Sequence, residues 1–152
     1  MPSDLWNFAV DLYARPGVEP ACLSLQAAGG DICLLLCGAW LEARGALRTA
    51  ERAEQLKDCA APWQREVIEP LRSIRRAWRD KSAQDDALAT LRTRIKQLEL
   101  DAERQLLQRL ESLCVAWEEG QGNSSWLEIL AGDAAEKCRD ALLELRVAAT
   151  RP

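Results

Sequence analysis

The sequence predicts an all-α protein, a single-domain irregular bundle of about six to seven helices, and three observations carry that prediction. Apolar residues recur at spacings of three and four through most of the 152 residues. Breaks such as Pro16-Gly17, Gly29-Gly30 and Gly120 to Gly122 separate the periodic segments. No run alternates apolar and polar residues as a half-buried strand would, and the chain has no repeat of fixed period and no low-complexity tract.

Residues 1–45 read as an apolar three-helix core segment. Ser3 caps a first helix running to about Ala14, with Leu5, Phe8, Ala9, Leu12 and Tyr13 on one stripe, Trp6 at its edge and Arg15-Pro16-Gly17 as the stop. Pro20 occupies the first turn of a second helix that ends near Ala28 and buries Ala21, Cys22 and Leu25. Asp31 caps a third helix, apolar almost all round from Ile32 to Leu41, which makes it the central one with Trp40 deep in the bundle; Gly45 ends it.

Residues 49–81 are polar and basic. A helix from Thr49 to Ala60 has too few apolar positions for more than one-sided contact. Pro62 opens the next segment, Trp63 to Lys81, where Pro70 should split or kink the helix and Val67, Leu71, Ile74 and Trp78 form the buried side. Ser82, Asp85 and Asp86 then supply a cap and first-turn acids for a long helix over 83–119, about 37 residues or roughly 55 Å. Its stripe reads Leu88, Leu91, Ile95, Leu98, Ala102, Leu106, Leu110, Leu113 and Trp117. A domain of this size is only roughly 30 Å across, so either part of that helix protrudes and needs a partner, or a kink near Asp101 folds it back. In residues 123–149, Asn123, Ser124 and Ser125 offer a cap for a short turn containing Trp126, Leu127, Ile129 and Leu130. Asp133 caps a closing helix that buries Ala134, Cys138, Leu142 and Leu145.

Composition bounds the class. Apolar residues at 48% and charged residues at 29% are ordinary for a soluble globular chain. The apolar run from Ile32 to Leu41 is about half the roughly 20 residues a membrane span needs. Asp4 and Asp11 interrupt what a secretory signal would require, so the expected compartment is the cytoplasm. Cys22, Cys33, Cys37, Cys59, Cys114 and Cys138 lie in apolar or helical stretches and read as reduced thiols; Cys33 and Cys37, four apart on one helix, are spaced too widely for a disulfide.

The chain has no histidine, which removes Ser-His-Asp and Cys-His nucleophile systems, histidine bases and Glu-x-x-His metal ligands. No C-x-x-C pair offers a zinc site, and Gly29-Gly30 lack the Gly-Lys-Ser and the strand of a phosphate loop. Asp85-Asp86 resemble the paired aspartates of magnesium sites but have no third acid, and the adjacent Glu118-Glu119 point apart. No catalytic residue, cofactor or metal is assigned from the sequence.

Charge is uneven. Residues 62–97 hold nine basic against five acidic side chains, whereas residues 98–152 hold eleven acidic against six basic, in a chain of net charge -4. Arg72, Arg75, Arg76 and Arg79 recur at helical spacings with Arg65 upstream, and Trp63 and Trp78 lie beside them. Arginines on a helix grip phosphates or carboxylates, and tryptophans stack on bases or guanidinium planes. The competing reading pairs these arginines with the acidic half of the same bundle or of a second copy and puts both tryptophans in the core. The six tryptophans, Trp6, Trp40, Trp63, Trp78, Trp117 and Trp126, all lie on or beside apolar stripes.

Leu5, Trp6, Phe8, Tyr13, Pro16, Gly17, Val18, Cys22, Leu23, Leu25, Gln26, Gly30, Asp31, Leu35, Leu36, Trp40, Leu41, Arg44 and Gly45, followed by Trp63, Pro70, Leu71, Arg72 and Arg75, form a pattern over about the first half of the chain. That pattern resembles a family of small proteobacterial proteins numbered 2390 among the domains of unknown function (DUF2390). The resemblance implies no activity and no site residue, and Cys33 stands where the family carries a polar side chain.

The functional expectation is a non-enzymatic, cytoplasmic protein-interaction module that binds another protein or a second copy of itself, through the long helix and the candidate residues Arg65, Arg72, Arg75, Arg76, Arg79, Trp63 and Trp78. On this reading Arg72→Glu with Arg76→Glu abolishes binding without unfolding the chain. An RNA-associated accessory protein using the same arginines is the first alternative. A small-molecule-binding protein or enzyme using buried acids such as Asp11, Asp31 or Glu42 is the second.

Overall fold

The computed structural model describes residues 5–120 and 125–150, and among them every regular element is helical. The caps expected at Ser3, Asn123 and Ser124 fall outside those residues.

The apolar segment folds as its pattern dictates. Helix α1 (Leu5–Tyr13) and α2 (Val18–Ala27) are joined by Gly17, whose φ of 85° is one that L side chains rarely adopt. Helix α3 (Ile32–Arg44) begins where the Asp31 carboxylate accepts from Leu34 N–H at 3.1 Å and ends at Gly45, φ 70°. Cys33 to Leu41 are all buried, so α3 is the central helix, and Trp40 is buried within it.

The next region departs from the expected breaks. Helix α4 (Ala50–Trp63), capped by Thr49 on Arg52 N–H at 3.1 Å, carries Pro62 inside its last turn. A π turn (Gln64–Ile68) continues it into α5 (Glu69–Ala77). The backbone stays in the right-handed region at Trp63, Gln64, Ile68 and Glu69, so residues 50–77 form one rod and not two helices split at a proline. The π turn explains the continuity: Glu69 N–H bonds to the Gln64 carbonyl, five residues back, in the turn before the proline that cannot donate. The acceptors that Pro62 and Pro70 leave without a donor belong to Asp58 and Glu66, both exposed to water.

After the short α6 (Arg79–Ser82), helix α7 (Asp86–Cys114) starts at Asp85, whose carboxylate accepts from Leu88 N–H at 3.1 Å. It has 29 residues, shorter at both ends than the expected 83–119, and is about 43 Å long. It passes straight through Asp101, so of the two alternatives the fold-back there does not occur; Asp101 accepts from Gln97 one turn earlier. The helix stops early because Trp117 leaves it to stack on Trp126, with ring centroids 5.7 Å apart and planes 10° apart. Gly120 N–H then bonds to the Arg44 carbonyl at 2.9 Å.

Helices α8 (Trp126–Ala131), α9 (Ala134–Lys137) and α10 (Arg139–Thr150) close the bundle, α8 packing on α3 and α10 on α2. Asp133 makes no side-chain cap, and Cys138, at φ −131° and ψ 52°, divides the expected closing helix in two. All six cysteines are free thiols; Cys37 Sγ lies 3.9 Å from Cys114 Sγ, not beside Cys33.

Burial divides α7. Its half from Ala102 to Cys114 contributes Ala102, Leu106, Leu107, Leu110 and Cys114 to the core, whereas residues 86–98 contain no buried side chain. With α5 and α6 packed against it, that outer half forms an arm extending from the bundle.

Candidate functional site

Where α5 crosses α7 the seam is ionic. Arg72, only 6% exposed, bonds to Glu69 at 2.7 Å and to Glu99 at 3.3 Å, with Glu103 at 3.7 Å. Arg75 bonds to Glu99 at 2.6 Å, and its carbonyl accepts from Arg92 Nε at 2.8 Å. Burial works to raise the Glu99 carboxyl, but Arg75 and Arg72 outweigh it and hold the group below the usual range. Burial and the neighbouring Glu99 raise Glu103. Burial also raises Asp31, against the opposing hydrogen bonds from Leu34 N–H and from Gln64 at 2.7 Å.

This seam sorts the sequence candidates. Arg72 and Arg75 are brought together on Glu99 and serve as internal partners, so Arg72→Glu would disrupt the fold and cannot serve as a clean test of binding. The arrangement corrects the expected stripe: an ionic seam takes Ile68 and Arg72 inward and leaves the face of Leu71, Ile74 and Trp78 to one flank, with Ile74 exposed. Arg65 is exposed and pairs only with its neighbour Glu66 at 3.0 Å. Trp63 is half-buried, its indole N–H bonded to the Ala102 carbonyl at 2.9 Å and its ring covered by Arg109 at 4.0 Å. Trp78 is half-buried on the arm. Arg76 and Arg79 are exposed and form no ion pair among the described residues.

The arm therefore presents a specific surface. On α7, Leu91 and Leu98 are seven residues apart and 47% and 51% exposed, and Ile74 on α5 is 37% exposed. Because the helices run antiparallel, winding away from the Arg75–Glu99 contact carries Leu71 and Trp78 on α5 and Leu91, Ile95 and Leu98 on α7 to the same side of the hairpin. Elsewhere on the arm Arg76, Arg79, Lys81, Arg94 and Lys96 are exposed and unpaired among the described residues. Residues 71–98 hold eight basic and three acidic side chains, net +5, while the rest of the chain holds 12 basic and 21 acidic, net −9.

Several roles were not visible in the sequence. Glu42, of the proposed buried acids, is held by two Arg146 nitrogens at 2.8 Å and by Leu127 N–H at 3.0 Å. Asp11 is exposed and bonded to Arg15 at 2.9 Å. Arg44, Arg52 and Arg104 lie over Trp40, Trp117 and Trp6 at 4.6, 4.7 and 4.8 Å, contacts between residues mostly distant in sequence. The four-residue spacing of Glu99 and Glu103 opposite Arg72 and Arg75 was the one local signal of the seam.

A cleft of about 540 Å³ lies between Gly30, Asp31, Lys57, Gln64 and Arg72, but its polar groups Asp31, Gln64 and Arg72 are engaged within the protein. Among the described residues no group of three or more Cys, Asp or Glu is placed to hold a metal ion, and no helix is long and apolar enough to cross a membrane.

The family model described as "Protein of unknown function (DUF2390)" matches residues 4–110, and the chain belongs to that family. The match extends beyond the first half of the chain, through the arm and into the buried half of α7. No curated protein and no solved structure matches the chain.

Proposed function

From membership of a family without an assigned activity, we propose that the chain is a non-enzymatic, cytoplasmic protein-interaction module whose arm docks an acidic, amphipathic helix of a partner protein. The observation that carries this reading is the exposure of Ile74, Leu91 and Leu98 on an arm of net +5 whose seam is already closed by Arg72, Arg75 and Glu99. An apolar stripe on an arm of net positive charge fits a helix with leucines on one face and carboxylates on its flanks. The six free thiols, four of them buried, suit a reducing compartment.

The test compares the tagged wild-type chain with Leu91→Asp/Leu98→Asp in affinity purification from its own cells, with and without nuclease. The expected result is a nuclease-resistant acidic partner that the double variant loses at unchanged helicity and Tm, together with weakening of at least about tenfold for Arg76→Glu/Arg79→Glu. Retention by both variants overturns the reading. Loss on nuclease treatment moves the function to RNA, and a wild-type dimer that the leucine variant dissociates makes the occupant a second copy of the chain.

A further inference from the structure

Away from the arm, α1, the start of α3 and the middle of α7 enclose a groove of about 350 Å³. Its walls are Trp6, Val10, Ile32, Leu36, Leu100 and Leu107. Three polar side chains converge on it: the Tyr13 hydroxyl, the Gln26 amide and the Glu103 carboxylate. None of the three makes a side-chain hydrogen bond among the described residues, in contrast to the 540 Å³ cleft, where Asp31 and Gln64 bond to each other. An apolar pocket with a few convergent and unspent polar groups is the ordinary form of a small-molecule site.

The charge of the head group follows from the seam. Arg72 and Arg75 together face four carboxylates, Asp31, Glu69, Glu99 and Glu103, so the cluster carries more negative than positive groups. Of the four, Glu103 lines the groove and is weakly matched: its ion pair with Arg72 spans 3.7 Å while Arg72 bonds more closely to Glu69 and Glu99, and Asp31, outside the groove, is held by Leu34 N–H and Gln64. Arg104, the other cation nearby, stacks over Trp6 at 4.8 Å and forms no ion pair with Glu103. Burial first, then the neighbouring Cys22, Glu19 and Glu103, push the Tyr13 hydroxyl up to about 12, so it stays a neutral donor and acceptor. A cation beside Glu103 relieves this imbalance, whereas an anion aggravates it.

We propose that this groove binds a small amphipathic amine, its apolar body against Trp6, Ile32 and Leu107 and its ammonium donating to Glu103 and Tyr13 while Gln26 takes any second polar group. The site shares no residue with the arm surface, so its test is independent of the protein-interaction reading.

The experiment titrates the intact chain with n-octylamine, 1-octanol and octanoate, following the Gln26 side-chain amide by heteronuclear NMR and Tm by circular dichroism. The expected result is saturable octylamine binding that shifts Gln26 and raises Tm. Octanol should bind about tenfold more weakly or worse, and octanoate not at all. Glu103→Gln should reduce octylamine to the level of octanol. Val10→Trp, at a groove position 48% exposed in the wild type, should block the groove without unfolding the chain. Absence of saturable binding, shifts spread over the whole chain, or undiminished octylamine binding by Glu103→Gln overturns the proposal.

Discussion

A charged group taken into a protein interior must bring its partners with it, and at Arg146 and Glu42 two such groups determine how the chain closes. Glu42 on α3 keeps 7% of its side-chain surface, and its oxygens accept from two Arg146 nitrogens and from Leu127 N–H. One carboxylate thus holds α8 and α10 against the central helix, and Glu128 completes the pair from the solvent side. Arg146→Ala leaves Glu42 buried with one backbone donor, so the expected loss is roughly 2–4 kcal/mol in urea unfolding. Glu42→Gln with Arg146→Met, which removes both charges, should recover a large part of it, and no recovery would show that the packing of the arginine stem matters more than its charge. Neither residue announced this role in the sequence: Glu42 sits at the polar end of an apolar helix and Arg146 lies over a hundred positions away.

Among the elements, those specified locally were the legible ones. Asp31, Gly45, Thr49 and Asp85 sit at helix ends with the geometry their types favour, and the apolar run of α3 is buried as its composition requires. What escaped the sequence depends on tertiary contact: the π turn that carries the chain through Pro62 and Pro70, the early end of α7 at the Trp117–Trp126 stack, and the break at Cys138. The candidate site was legible in part. The basic segment and the long helix were read from charge and periodicity, with protrusion and fold-back left as alternatives, but Arg72 and Arg75 face inward because Glu99 meets them from the other helix. Gly45 joins the two levels, since a local left-handed turn becomes a tertiary constraint where a Cβ would lie 3.0 Å from Gly120 Cα. Gly45→Ala should cost roughly 2–3 kcal/mol, and Gly29→Ala, at φ 98° with nothing within 4 Å, about 1–2 kcal/mol. Equal losses would mean that the Gly120 segment moves aside freely.

For the whole molecule, the absence of histidine makes the acid side of the stability curve a readout of carboxylates alone, because no other side chain has an ordinary pKa between pH 5 and 8. Four carboxylates divide into two sets of opposite sign. Asp31 and Glu103 are raised from 3.8 and 4.5, chiefly by burial, so the folded chain binds protons there before the unfolded chain does. Their contribution to stability therefore grows as pH falls from neutrality through their folded values and is complete below 3.8 and 4.5. Glu128, through its Arg146 hydrogen bond, and Glu99, where two arginines overcome burial, are lowered from 4.5. Their stabilisation is full above 4.5 and is lost as pH falls through their folded values. Stability measured by urea unfolding should accordingly hold level or rise on acidification from pH 7 toward 5, then fall steeply below about 4. Glu103→Gln removes one of the two raised groups, so it should stabilise the protein at pH 7 and flatten the rise toward pH 5 while leaving the acid collapse in place. A wild-type chain that loses stability steadily from pH 7 downward would show that Asp31 and Glu103 are already compensated in the folded state, and that the lowered carboxylates Glu99 and Glu128 alone set the pH response.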